Sequence, residues 1–132
     1  MKITADTNVL VRAITGDDPR QSAIAQSELA NAEAVAVTMP ALCELVWVLS
    51  RGYHAPLPSI SEAIRRLING INVAVNRPAV EAGLACLDKG GDFADGVIAY
   101  EGSWLGSEAF ISFDRNSVRL MVARGLEARL LR

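Results

Sequence analysis

Four acidic side chains occupy positions from which they could do chemistry: Asp6, Glu44, Asp95 and Asp114. Asp6 ends a short strand-like segment, residues 2–5, and precedes Thr7, Asn8 and the apolar run Val9-Leu10-Val11. Asp114 follows the apolar stretch Phe110-Ile111-Ser112-Phe113. In open parallel sheets, ligands bind beyond the carboxyl ends of the strands, which is where both of these acids fall. Asp95 stands at the mouth of a helix, with Asp92 just ahead of it across Phe93-Ala94. Glu44 interrupts an otherwise apolar helical stretch, residues 41–49. An unpaired buried carboxylate is costly and tends to protonate. Such a residue calls for an arginine partner, a pocket open to water, or a metal ion.

Taken singly, each acid also has a plainer reading. Asp6 and Asp114 suit helix caps, Glu44 suits a solvent-facing stripe, and Asp92 suits solvation of the glycine turn beside it. Their conjunction is what points to chemistry. If they converge, like charges repel and raise one another's pKa, and a divalent cation relieves the crowding. Oxygen-only ligands suit Mg²⁺ or Mn²⁺, and such an ion activates a bound water and polarises a phosphodiester.

Absences narrow the field. His54 is the sole histidine, so a histidine-pair mechanism is excluded. One histidine and two separated cysteines make a poor structural zinc site. No glycine-rich loop ending in Gly-Lys-Ser/Thr is present, which excludes nucleotide binding of that type. A phosphoacceptor receiver would need a late lysine, yet none follows Lys89. A haloacid-dehalogenase-like phosphatase would need an aspartate where Asn8 stands.

The elements that must position these acids follow from periodicity. Residues 2–5, 34–37, 71–75, 109–113 and 126–131 read as strands. Helices are expected to follow Asp6 and to cover 20–33, 41–49, 59–69 and 78–87. Two more open at Asp95 and at Asp114. Thr38 and Pro40 make a helix start, and residues 52–58 make a loop. Alternating strands and helices give a mainly parallel sheet covered on both faces, a three-layer α/β/α sandwich. With 132 residues and 51% hydrophobic content the chain suits a single domain over 1–132 with its own core. No leader or membrane-spanning run is evident, and Cys43 and Cys86 read as reduced core residues, so a soluble, cytoplasmic protein is expected.

The formal charge is −2, which argues against a surface coated for nucleic acid but leaves room for a local basic patch. Only Lys2 and Lys89 are lysines, and arginine supplies the other cations. Arginine grips phosphate in a two-pronged way, although a GC-rich genome yields the same composition. Arg115, next to Asp114, is the best candidate for a phosphate contact. Arg119, Arg124, Arg129 and Arg132 could add phosphate contacts, but ordinary surface charge is the favoured reading for most of the cluster.

The segments Ala5-Asp6-Thr7-Asn8-Val9-Leu10, Glu44 in its apolar helix, Asp92-Phe93-Ala94-Asp95-Gly96-Val97-Ile98-Ala99 and Ser112-Phe113-Asp114-Arg115 together resemble the PIN domain. Within that family the chain looks most like the VapC toxins of toxin–antitoxin modules. The resemblance implies a PIN-like fold and an Mg²⁺- or Mn²⁺-dependent endoribonuclease, with Asp6, Glu44, Asp95 and Asp114 holding the metal. It implies supporting roles for Asn8, Asp92 and Ser112, an antitoxin partner, and a homodimer. A catalytically silent PIN-like binding module is the alternative. Gly96 departs from the family pattern, where a small residue such as alanine is commoner, and on propensity alone it weakens the helix start.

Overall fold

In the computed structural model, which describes residues 1–132, helices alternate with strands and every strand pairing is parallel. The chain falls into two compact units, Met1–Asn76 and Arg77–Arg132.

The first unit contains β1 (Lys2–Thr4), α1 (Thr7–Thr15), α2 (Pro19–Asn31), β2 (Ala34–Ala36), α3 (Met39–Trp47), a π-helical turn (Val48–Gly52), α4 (Leu57–Ile68) and β3 (Val73–Ala74). Its sheet runs β1-β2-β3, with Ile3 beside Val35 and Val35 beside Val73. Local chemistry sets the boundaries. Asp6, Asp18 and Thr38 each accept a backbone N–H at the start of a helix. Gly16 ends α1 at a φ of 67°, a conformation that glycine adopts without strain. Leu10, Val35, Leu42, Leu45, Ile60 and Ile64 are fully buried. Burying each side chain of this size is worth roughly 1.5–3 kcal/mol.

Three expectations shift here. The winding expected to stop at residue 49 continues as the π-helical turn, closed by the Tyr53 amide donating to the Val48 carbonyl. Residues 57 and 58, expected in a loop, open α4, because proline needs no partner for its nitrogen in a first turn. The strand expected over 71–75 shortens to Val73–Ala74, and Ile71 is fully exposed.

The π-helical turn delivers Tyr53 to a small polar hub. Asp17 accepts the Tyr53 hydroxyl at 2.6 Å, the Thr15 hydroxyl at 2.8 Å and the Arg12 guanidinium at 3.0 Å. These bonds, Tyr53's first, hold the Asp17 carboxyl at a pKa of about 2. A carboxyl with a depressed folded-state pKa contributes stability above its unfolded value, near 3.9, and loses it as pH falls through the folded value. Asp17→Asn is therefore expected to melt below wild type at neutral pH. The gap in melting temperature should close between about pH 4 and pH 2. A gap that is constant over that range would remove Asp17 from the pH response.

The second unit contains α5 (Arg77–Leu87), α6 (Phe93–Trp104), β4 (Phe110–Ser112), α7 (Arg115–Ala123) and β5 (Ala128–Leu130), with β4 and β5 paired in parallel. Helices α5 and α6 form a tight hairpin around Phe93, which is fully buried. Gly83 leaves space for the Phe93 ring: a Cβ there would lie 2.6 Å from it. Gly96 faces the α5 backbone, and a Cβ there would lie 2.3 Å from the Ala82 carbonyl oxygen. The expectation that Gly96 only weakens a helix start is corrected: it permits backbone-to-backbone approach. Cys86 is buried and Cys43 half-buried, with no disulfide between them. No helix is long and apolar enough to cross a membrane.

Candidate active site

In the first unit, Asp6 leaves β1 exposed and caps α1, its Oδ1 accepting the Val9 amide at 3.1 Å. Glu44 lies on α3. The buried side of that helix is Met39, Ala41, Leu42, Leu45 and Val46, whereas Pro40, Glu44 and Trp47 form an exposed stripe at helical spacing. Of the two readings open for Glu44, the solvent-facing stripe is the one observed, and no compensating arginine is required. Glu44 is nevertheless engaged: the Thr7 hydroxyl donates to its Oε2 at 3.2 Å. Thr7 follows Asp6 directly, so this bond ties the turn bearing one acid to the helix bearing the other. Asn8 is exposed and makes no hydrogen bond to Asp6, whose local partner is Val9.

In the second unit, Asp92 caps α6 and accepts the Ala94 amide at 2.9 Å. This corrects the expected helix start: α6 opens at Phe93, and Asp95 sits in its first turn. Asp114 caps α7, its Oδ1 accepting the amides of Asn116 and Ser117 at 2.9 and 3.1 Å. The Ser112 hydroxyl accepts the Asp114 amide at 3.0 Å, which fixes the turn between β4 and α7. Arg115 is exposed at the first position of α7.

Asp95 is the electrostatic focus of this unit. Burial raises its pKa, the hydroxyl of Ser117 lowers it, and the charges of Asp92 and Asp114 raise it again. The second unit therefore gathers three carboxylates whose charges oppose one another, with the central one part-buried. Such a site favours a cation. Ser117 was absent from the sequence-based site. A lone serine three residues after a capping aspartate reads as first-turn helix polarity, and only its burial, at 5% exposure, sets it apart.

Every candidate ligand is a carboxylate, so the donor chemistry fits Mg²⁺ or Mn²⁺ and not zinc. No group of three or more aspartate, glutamate, histidine or cysteine side chains is arranged as a ready metal centre. The fit therefore rests on donor type and on the repulsion around Asp95.

A family model for the PIN domain matches residues 3–120 of this chain, a span that takes in all four acids singled out above. No curated protein matches the chain.

Proposed function

The chain belongs to the PIN-domain family and carries its nuclease-type fold, and from that premise we propose that it is an Mg²⁺- or Mn²⁺-dependent endoribonuclease, the toxin of a toxin–antitoxin module. The family match over residues 3–120, which spans all four acids, carries this reading, and the part-buried Asp95 carboxylate, disfavoured by burial first and then by the charges of Asp92 and Asp114, supports it. A fold retains such an arrangement at a cost to stability, and function is the usual reason.

Asp6, Glu44, Asp95 and Asp114 would hold the cation. A Mg²⁺ or Mn²⁺ ion held by these carboxylates would supply activation of the attacking water and would offset charge on the scissile phosphate. The protein's own share is orientation. Asp6 and Asp114 are pinned by the amides of the helices they cap, and Glu44 and Asp95 by the hydroxyls of Thr7 and Ser117. Asp92 would add negative charge beside Asp95, Ser112 would hold the turn that bears Asp114, and Asn8 would sit at the rim. Arg115, exposed beside Asp114, would take an RNA phosphate in its fork. On this reading the protein works in the cytoplasm, as a homodimer, and a cognate antitoxin silences it by covering the acids. The competing reading, a silent PIN-like binding module, predicts no RNA cleavage, whether or not a cation is taken up.

Calorimetric titration of Mn²⁺ into metal-free protein tests the proposal. Binding in the wild type that is lost in both Asp6→Asn and Glu44→Gln is expected, followed by metal-dependent RNA cleavage that the same substitutions remove. Wild-type protein that is folded, metal-free and unable to take up Mn²⁺ would sink the nuclease reading and favour the binding module.

A further inference from the structure

Ser117 touches two of the candidate acids in the second unit, Asp95 and Asp114. Its hydroxyl donates to Asp95 Oδ2, and its amide donates to Asp114 Oδ1 at 3.1 Å. It is 5% exposed, so water does not compete for the hydroxyl. Serine has no intrinsic advantage inside a helix over alanine, and a buried hydroxyl costs stability unless it is used. Here it is used across two elements: Ser117 lies on α7 and Asp95 on α6.

The first unit contains a counterpart. Thr7, 9% exposed, lies in the first turn of the helix that Asp6 caps, and its hydroxyl donates to Glu44 on α3. In each unit, then, a strand-end aspartate caps a helix, and a buried hydroxyl in that helix's first turn reaches a carboxylate on another helix. The other two buried polar residues, Ser22 and Ser61, have local partners within their own helices, Gln26 and Arg65.

A carboxylate has two oxygens. With Oδ2 held by the serine, Asp95 is restricted in rotation and Oδ1 remains for another partner. We propose that Ser117 is a positioning residue, which locks the Asp95 carboxylate so that its remaining oxygen is presented to a divalent cation. Thr7 does the same for Glu44. This inference rests on the metal-dependent nuclease reading. It adds that the orienting groups are hydroxyls in the first turns of α1 and α7, whereas the resemblance pointed to Ser112. Outer groups that orient a ligand are typically worth 10- to 100-fold in metal affinity.

Mn²⁺ affinity and melting temperature, measured on metal-free full-length protein, test it with Ser117→Ala and Ser117→Thr, and with Thr7→Val and Thr7→Ser. The expected result is an affinity about 10- to 100-fold weaker in Ser117→Ala and Thr7→Val. Ser117→Thr and Thr7→Ser, which keep the hydroxyl, should recover most of that loss. Melting temperatures of Ser117→Ala and Ser117→Thr should not track the affinities. Wild-type affinity in Ser117→Ala would overturn the proposal. So would an equal loss in the alanine and threonine variants, because the loss would then follow packing rather than the donated hydrogen bond. Failure of wild type to bind Mn²⁺ is a separate outcome that removes the nuclease reading itself, and this inference with it.

Discussion

Asp95→Asn is expected to lose metal-dependent RNA cleavage by at least about 100-fold, since even groups one step removed from a metal cost 10- to 100-fold when removed. The same variant, free of metal, should melt at a higher temperature than wild type at pH 7. Both effects have one origin. Burial, with further repulsion from Asp92 and Asp114, raises the Asp95 pKa against the opposing hydroxyl of Ser117. A carboxyl whose pKa is raised by folding contributes stability below its unfolded value and loses it as pH rises through the folded value. At pH 7 the folded chain therefore carries a carboxylate that its surroundings disfavour. Asparagine removes the charge yet keeps an oxygen to accept the Ser117 hydroxyl. The difference in melting temperature should shrink as pH falls into the range where Asp95 protonates. Added Mn²⁺ should reverse the order, because a ligand that binds only the folded state stabilises it by mass action, and the variant has lost the site. Thermal melts of both proteins at pH 7 and pH 4, with and without Mn²⁺, make the comparison. A metal-free variant that melts below wild type would show that the Asp95 charge is matched within the fold, which removes the argument that the site is built for a cation.

Much of this arrangement was legible in the sequence, and the exceptions share a cause. The caps at Asp6, Thr38 and Asp114 could be read because capping is local chemistry: a short polar side chain, a break in apolar periodicity, and a helix that follows. The parallel pairing of the strands could be read because helical crossovers between strands leave little else. Glu44 showed where such reading ends. Its neighbours in sequence are apolar, but those four and three residues away on its own face, Pro40 and Trp47, are exposed with it. Trp47 is 62% exposed, so apolar character alone left open whether Glu44 was buried or lay on a solvent-facing stripe, and the exposed stripe is the one observed. Ile71 misled in the same way, as a β-branched residue that nothing covers. Ser117 was invisible because its significance lies in a carboxylate twenty-two positions away in the chain, and a single sequence carries no signal of that pairing.

Gly96 is the sharpest such case, and substitution there should have the largest effect on stability. Judged by propensity, Gly96→Ala should stabilise α6 by up to about 1 kcal/mol. The packing predicts the opposite sign. The new Cβ would lie 2.3 Å from the Ala82 carbonyl oxygen and 2.8 Å from the Gly83 Cα, both of them backbone atoms of α5. A side chain can rotate away from such a clash, but a helix backbone must translate. Overpacking in a tight core costs roughly 1–3 kcal/mol where side chains can absorb it, and more where they cannot. A net loss of about 2 kcal/mol or more is therefore expected for Gly96→Ala, a large fraction of the 5–15 kcal/mol that holds a typical domain folded. Gly102, later in the same helix, is the internal control. A Cβ there meets only the Ser107 hydroxyl, at 3.3 Å, at the end of a side chain that can turn. Gly102→Ala should be neutral or slightly stabilising. Urea midpoints of the two variants separate the explanations: if both shift upward, helix propensity governs α6, and the close approach of α5 and α6 is not what Gly96 is there to permit. If Gly96→Ala alone falls, the first turn of α6, and with it Asp92 and Asp95, is held in place by that approach, and the variant should weaken Mn²⁺ binding as well as the fold.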